Sequence, residues 1–361
     1  MKYSCSFRAL RVAVVVLFLG RVAPAQQVRV ATFNVELGIA GPDTPKGRAQ
    51  RAILKRVNAD IVALQELNAK TSNEWVRLAE DLGYPHRAWG EMGPFSGSMN
   101  VGYFSRFPIL ESGSVTSPEG AKEFSRYPLR ITVRVPGAVR PLTLWNMHHK
   151  AMFKPPDEYR RAVEAFRIAQ DVIRVRGSGP DAPSCVVMGD MNDDIVRGTK
   201  ADTWNSVESK DAQGGQGRHP QGLQSPQTVS FETPPPLSKS YAAGPDVPSP
   251  MLYRAFPLDA YGRPETGLAA VEAYREGTRD NRTHLYTNYR LDYLLISGEI
   301  RGADGKPPVG EIYYSGTDKG GGLPKAGEPL PPDLSLAASD HYPVFADLAL
   351  QGAPPPQPPP E

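Results

Sequence analysis

The sequence predicts an α/β fold. Short β-rich runs alternate with segments of helical periodicity from residue 28 to about residue 195, and strand-like runs return at 291–297 and 342–350 after a stretch of different character. Polar side chains cluster where the apolar runs stop, which is where α/β folds place their chemistry. With 361 residues the chain has room for one large core or two ordinary ones, so order along the chain decides its organisation.

Residues 28–35, 60–67, 101–107, 129–135, 142–148 and 185–191 read as strands, and 48–57, 73–82 and 157–175 as helices. In the last helix Tyr159, Val163, Phe166, Ala169 and Ile173 are expected to share one face. The 37 prolines and 34 glycines exceed what an ordinary globular domain needs and point to long loops. Their main concentration defines a long Gly/Pro-rich insertion at 197–250, with 285 as its outer bound, marked by Gly214-Gly215-Gln216-Gly217 and Pro234-Pro235-Pro236. A second such loop covers 320–332, and 351–361 reads as a Pro-rich, disordered tail.

Residues 1–25 read as a secretory signal. Lys2, Arg8 and Arg11 precede the apolar run 12–19, and Ala23-Pro24-Ala25 offers small residues for cleavage before Gln26. That run is shorter than the roughly 20 residues a membrane span requires. The expected mature chain is therefore exported, to periplasm or medium, with one domain over 26–350. Of the 41 basic residues four leave with the signal (Lys2, Arg8, Arg11 and Arg21) and no acid does. Against 39 acids the formal charge then moves from +2 to about −2. Such a chain would grip a polyanion through a local patch or a bound metal rather than through overall attraction. Cys5 would also leave, so Cys185 has no intramolecular disulfide partner and reads as a packing residue in an apolar run.

Asn34, Glu66, His148, Asp190, Asn192, Asp292, Asp340 and His341 each stand at the end of an apolar run. Any one of them alone suits a turn or a cap; eight together suggest a site. Glu66, Asp190, Asp340, Asn34 and Asn192 offer hard oxygens that suit Mg²⁺, Mn²⁺ or Ca²⁺ better than zinc. Two histidines that can move protons near neutral pH complete the equipment for phosphodiester hydrolysis.

Six ordered motifs, Ala31-Thr32-Phe33-Asn34-Val35, Leu64-Gln65-Glu66-Leu67, Asn146-Met147-His148, Gly189-Asp190-Met191-Asn192, Arg290-Leu291-Asp292-Tyr293 and Ser339-Asp340-His341, resemble those of the endonuclease/exonuclease/phosphatase superfamily. The resemblance implies a deoxyribonuclease-I-like four-layer sandwich, two mixed β-sheets flanked by helices, with the site at one end. It also implies roles. Glu66, with Asn34 and Asp340, would hold the catalytic metal, Mg²⁺ or Mn²⁺ with Ca²⁺ as a further option. Asp292 would orient His341, the general base for an attacking water. Asp190 and Asn192 would position phosphate and nucleophile, and His148 would donate on the leaving side. His148, third in Asn-x-His, is expected to face the site, and His149 to be an opposite-face or rim residue. Phe124-Ser125-Arg126 is similar to a stretch of pancreatic-type deoxyribonucleases and makes Arg126 a candidate phosphate ligand; Glu91 is a candidate support for His148.

The expected activity is metal-dependent phosphodiester hydrolysis by in-line attack, with nucleic acid as the leading substrate. Export and the Phe-Ser-Arg stretch favour this reading. A sphingomyelinase-like phospholipase C acting on membrane lipid is the alternative, with Met251-Leu252-Tyr253-Arg254-Ala255-Phe256 as a possible lipid contact. A phosphatase of the inositol polyphosphate type is disfavoured, because Arg290-Leu291-Asp292-Tyr293 lacks the Cys-Asp-Arg run of that branch. A catalytically dead binding module is disfavoured because no motif residue is missing. No obligate protein partner is implied.

Overall fold

The computed structural model describes residues 25–352 apart from 94–95, 117–123, 153–154, 178–181, 193–217, 220–222, 225–267 and 288. The signal segment and the tail beyond residue 352 lie outside the described residues. So does the insertion at 197–250, apart from a two-residue ladder, and so does the Met251–Phe256 run.

Two mixed sheets carry the fold. The first has the order β12-β14-β15-β1-β2-β4-β3. In chain order its strands are β1 (Gln26–Asn34), β2 (Ile61–Asn68), β3 (His86–Trp89), β4 (Met99–Ser105), β12 (Glu272–Arg275), β14 (Val309–Ile312) and β15 (Val344–Leu350). The second has the order β11-β13-β8-β7-β6-β5. Its strands are β5 (Ile109–Ser114), β6 (Leu129–Val133), β7 (Leu142–His148), β8 (Ser184–Asp190), β11 (Leu268–Ala270) and β13 (Asp292–Ser297). The short pair β9 (Arg218–His219) and β10 (Leu223–Gln224) stands apart. Helices α1 (Pro45–Val57), α2 (Ser72–Asp81), α3 (Pro155–Arg176) and α4 (Leu334–Ala338), with a 3-10 turn at Ala69–Thr71, complete the described elements.

Alternation along each central strand builds the layers. Val28, Val30, Ile61, Ala63, Leu142, Leu144, Val186, Met188, Leu294 and Ile296 form the core between the sheets. Their sequence neighbours Ala31, Phe33, Val62 and Leu64 pack with α1 residues such as Ile53 and Leu54, and Trp145, Val187 and Tyr293 pack with Ile168 and Val172 of α3. Strands buried on both faces read as continuous apolar runs, which is why these were the readable ones. α1 begins on the Thr44 side chain, which accepts from the Gly47 N–H, and ends on Asn58 in the left-handed conformation.

Two expectations need correction. Of the face assigned to the third helix, Ala169 is buried but Ile173 is 44% exposed, and the side chains of Tyr159, Val163 and Phe166 lie outside the described residues; among those described, Arg161, Glu164, Ala165, Ile168, Asp171 and Val172 are also buried. Glu164 is inside because its carboxylate accepts from the Ser125 and Lys150 N–H groups (2.7 and 2.8 Å). A periodicity built on apolar residues alone passes over such a polar anchor. The chain is also back in the sheets by Leu268, so the outer bound of 285 for the insertion is too long.

The Gly/Pro-rich loop between β14 and α4 is tied down by buried charge. Arg56 holds both Asp318 oxygens at 2.8 Å, and Lys325 lies between Glu311 (2.7 Å) and Glu276 (3.1 Å). The anchored loop leads through α4 into Ser339-Asp340-His341.

Candidate active site

At one end of the inter-sheet core the inward positions change from apolar to polar. By alternation Asn34 continues Val28 and Val30, His148 continues Leu142 and Leu144, and Asp190 continues Val186 and Met188. Asp292 precedes Leu294 and Ile296 on the same face. His148 and Asp190 are register partners in the parallel β7–β8 pair, and Asp190 partners Asp292 across β8–β13. Adjacency in the ladders thus assembles the centre from residues remote in sequence.

Glu66 reaches the site by a different device. On β2 the even positions Val62 and Leu64 face the helices, so a regular strand would turn Glu66 away from the core between the sheets. A β-bulge between Leu64 and Leu67, with Glu66 at φ +59°, breaks the alternation and re-aims the carboxylate. A non-glycine residue held in that region costs roughly 1–3 kcal/mol.

Asn34 is the hub. Its Nδ2 donates to Glu66 Oε1 (3.2 Å) and Asp190 Oδ2 (3.0 Å), and its Oδ1 accepts from the Glu36 N–H (3.0 Å). Beneath it, Gln65 donates to Asn146 Oδ1 (2.7 Å), and Asn146 donates to the Leu64 and Gly102 carbonyls (2.9 and 2.8 Å), stitching the two sheets directly under the site.

Two imidazoles converge on one carboxylate oxygen. His148 Nε2 lies 3.6 Å and His341 Nε2 3.7 Å from Asp190 Oδ2. His341 Nδ1 donates to Asp292 Oδ2 at 2.8 Å; a carboxylate only accepts, so this contact fixes the proton on Nδ1. His148 Nε2 also faces Glu66 Oε1 at 3.8 Å, while its buried Nδ1 has no partner among the described atoms. The carboxylate oxygens that Nε2 faces favour the proton on that nitrogen. Asn192, at φ +51°, places its N–H on Asp190 Oδ1 (2.8 Å) and its Nδ2 on the His149 carbonyl (3.0 Å).

The electrostatics follow from four acids around two imidazoles. Burial, with Asp292 nearby, pushes Asp190 up to about 6, against the opposing influence of His341. Burial works to lower His341, but Asp292, Asp190 and Asp340 outweigh it and raise it to about 10. Burial, then Arg126, His341 and His149, hold His148 well below the usual value. The centre carries more negative charge than its own residues neutralise, and Asp292 Oδ1 is buried without a partner. Hard carboxylate oxygens with uncompensated charge fit a divalent cation.

The placement of the sequence-derived candidates is uneven. Asn34 touches Glu66, but through its NH₂ group, with its oxygen engaged by Glu36; Asp340 groups instead with His284 and His341, ligand atoms all within 4.8 Å. A second set of that kind joins Asp190, Asp292 and His341. His149 is buried rather than a rim residue, and Arg126 donates to its carbonyl (3.1 Å). Arg126 also keeps a buried Nε without a partner, beside the charge field of His148. Glu91 is exposed; its N–H donates to Ser114 Oγ (2.7 Å), and His148 Nδ1 has no partner, so the expected support is not made. Cys185 is fully buried and burial pushes its thiol up to about 12, as a packing residue requires.

Sequence reasoning missed His284. Its ring lies 4.7 Å from that of His341, and its Nε2 is 3.6 Å from Asp340 Oδ2. The available signal was a histidine, in a chain with six, shortly before the Arg-Leu-Asp-Tyr motif.

His149 yields a pH prediction. Burial, then Arg161, lowers it from 6.5 to about 3, so below pH 6.5 the unfolded chain binds a proton that the folded chain refuses. Its contribution is present above 6.5 and is lost as pH falls. At pH 5 the loss is about 2 kcal/mol. His149→Gln, which cannot be protonated, should therefore lose less thermal stability than the wild type between pH 7 and 5 by scanning calorimetry. Equal losses would show that His149 is not held neutral.

Two face-packed mixed sheets with paired imidazoles and carboxylates at one end define a phosphate-ester hydrolase of the deoxyribonuclease-I-like fold. The comparisons agree. The model of the Endonuclease/Exonuclease/phosphatase family matches residues 31–341, and the chain belongs to that family. Among solved structures, an endonuclease/exonuclease/phosphatase from Beutenbergia cavernae DSM 12333 is similar at 18% identity (TM-score 0.50), over 91% of this chain and 72% of that one. ANGEL2, a 2',3'-cyclic phosphatase solved with adenosine-2',3'-vanadate, is similar at 15% identity (TM-score 0.52; 92% and 98% covered). Truncated Caenorhabditis elegans TDP2 is similar at 14% identity (TM-score 0.50; 90% and 98% covered). At these identities the likeness establishes the fold. No curated protein matches the sequence.

Proposed function

We propose that the chain is an exported, divalent-metal-dependent phosphodiesterase that cleaves nucleic acid by in-line attack of water on phosphorus. The observation that carries this reading is the approach of His148 and His341 to the same Asp190 oxygen at 3.6 and 3.7 Å. In-line displacement needs one group to handle the proton of the attacking water and another at the departing oxygen, and two imidazoles that approach one carboxylate oxygen are placed to share that work.

Asp292 accepts from His341 Nδ1, which aims Nε2 at the site and stabilises the imidazolium formed when Nε2 takes a proton. The surrounding acids keep His341 protonated to about 10, so it acts as base when a cation takes up part of their charge. His148, held neutral with Nε2 toward the site, donates a hydrogen bond to the departing oxygen, which takes its proton from solvent. Asn192 and Asp190 fix the nucleophile and phosphate, and Arg126 offers a guanidinium to a second phosphate oxygen. Glu66 and Asp340 supply the carboxylates that would hold the cation, with Asn34 orienting Glu66. A divalent cation there would neutralise and polarise the phosphate oxygens. Export rests on the signal-like residues 1–25.

The test is a panel of plasmid DNA, RNA, sphingomyelin vesicles and bis-p-nitrophenyl phosphate, each with Mg²⁺, Mn²⁺, Ca²⁺ or EDTA. Cleavage of nucleic acid with metal and none with EDTA is expected. If nucleic acid survives while lipid or the small diester is hydrolysed, the nucleic-acid assignment falls and the esterase assignment stands. No hydrolysis of any of the four under any ion would overturn both.

A further inference from the structure

Gln50 is fully buried in α1, beside the apolar residues Ala49, Ile53 and Leu54 that pack the helix onto the sheet. Both ends of its amide are engaged, and only by main chain. Nε2 donates to the carbonyls of Val35 (3.0 Å), Gly38 (3.1 Å) and Ala338 (3.2 Å), and Oε1 accepts from the Ala40 N–H (3.0 Å). Two protons serve three carbonyls, so at least one of those bonds is shared. The amide thereby joins a loop close to it in sequence to a residue 288 positions further along the chain.

Each of these segments leads into the catalytic centre. The first is the loop that follows Asn34. Glu36, Leu37 and Gly38 have positive φ in succession (+45°, +58° and +106°), although left-handed backbone is ordinarily adopted by single residues. The winding brings the Glu36 N–H onto Asn34 Oδ1 and the Leu37 N–H onto Glu66 Oε2, both at 3.0 Å. The Glu36 contact decides which end of the Asn34 amide faces Glu66 and Asp190. Gln50 takes the carbonyl before this run, Val35, and the carbonyl that ends it, Gly38, so it holds a conformation that the loop's own residues disfavour. Close packing supports the same clasp, because a Cβ added at Gly47 of α1 would overlap the Ala40 and Gly41 carbonyl oxygens. The second segment is the end of α4. Ala338 closes that helix, and the next residue, Ser339, donates from Oγ to the Asn34 carbonyl (2.7 Å) and accepts there from the His341 N–H (3.1 Å).

We propose that Gln50 is a positioning residue for the reaction: its amide locks the loop that orients Asn34 and Glu66 to the segment that carries Asp340 and His341, and so sets the spacing between the cation's carboxylates and the base. This rests on the metal-dependent reading above. Gln50 touches neither the reacting groups nor the carboxylates, and acts only through the main chain that presents them. A helix-to-loop staple with no such role would alter the stability of the protein and nothing else. A residue that sets the spacing of the carboxylates alters the affinity for the cation, since ligands held at the wrong separation bind it less well.

The experiment compares the full chain with Gln50→Met, Gln50→Glu and Ile53→Ala. Mg²⁺ binding is measured by titration calorimetry without substrate, melting temperature in EDTA, and kcat and KM on bis-p-nitrophenyl phosphate with Mg²⁺. Gln50→Met keeps the length of the side chain but neither donor nor acceptor, and should weaken Mg²⁺ binding and lower kcat by about tenfold or more each, with little change in KM. Gln50→Glu keeps the acceptor for Ala40 and, when protonated, offers one O–H to the three carbonyls, so both quantities should fall between wild type and Gln50→Met. Ile53→Ala, buried in the same helix one turn on, should lower the melting temperature while leaving Mg²⁺ affinity and kcat as in the wild type. Gln50 variants that melt lower yet bind Mg²⁺ and turn over as the wild type does would overturn the proposal and leave the hydrolase reading intact. So would an Ile53→Ala protein that loses Mg²⁺ affinity to the same extent. Should Gln50→Met not fold, Gln50→Glu decides on its own. A wild type that neither binds Mg²⁺ nor hydrolyses the diester would sink the metal-dependent reading and the proposal with it.

Discussion

His341→Ala should reduce metal-dependent turnover by about 10²–10⁴-fold while the protein remains folded. The side chain is one imidazole at the end of the core, beyond the last apolar layer, so its removal leaves the packing of both sheets in place. What disappears is the partner of Asp292 and, on the proposed mechanism, the atom that receives the proton. Asp292→Asn is the informative companion. Asparagine can turn its NH₂ toward Nδ1 and so favour the wrong tautomer, which directs a proton rather than a lone pair into the site. Both variants should lose kcat with little change in KM, because both act on the chemical step. Glu66→Ala should instead raise the Mg²⁺ concentration needed for half-maximal rate. The check is steady-state kinetics on the most active substrate of the panel, with circular dichroism to establish folding. Near-wild-type kcat in folded His341→Ala would remove His341 from the mechanism.

The sequence revealed those parts of this arrangement that follow a regular period. β7 was read with its bounds intact, and β1, β2, β4 and β8 to within two residues at each end, because both faces of these strands are buried and each ends on a polar motif. β5 escaped notice, since its burial is that of a solvated edge and Glu111, Ser112, Gly113 and Ser114 show no alternation. β3, β11, β12 and β14 are three or four residues long, too short for a period to register. In the site, motif order pointed to His148, Asp190, Asp292 and His341; the ladders bring the first three together, and the segment after α4 brings His341 onto Asp292. The hydrogen-bonding sense of Asn34 was not readable, because an amide's two ends are distinguished only by its neighbours in space. The same is true of His284, whose partners Asp340 and His341 are more than fifty residues away.

Gly189→Ala should be the most damaging single-methyl substitution near the site. Gly189 stands in β8 at φ +138°, and a Cβ there would lie 2.1 Å from the Met147 carbonyl oxygen and 2.8 Å from the Met147 nitrogen and carbonyl carbon. The clash is with backbone, so no rotamer relieves it. Nor can the strand shift aside, because Gly189 pairs with Met147 of β7 on one side and Tyr293 of β13 on the other, and moving it opens both ladders. A cost of about 4 kcal/mol or more is expected, at the high end for one substitution. Whatever fraction folds should also be catalytically poor, since the next residue is Asp190, on which both imidazoles converge, and displacements of about an ångström cost roughly 10²-fold in rate. Gly113→Ala on the edge strand β5, where an added Cβ meets nothing within 4 Å, should change stability by less than about 0.5 kcal/mol and serves as the control. Thermal denaturation of both variants decides the matter. If Gly189→Ala melts within two degrees of the wild type, the backbone at the end of β8, and with it the geometry assigned to Asp190, is wrong.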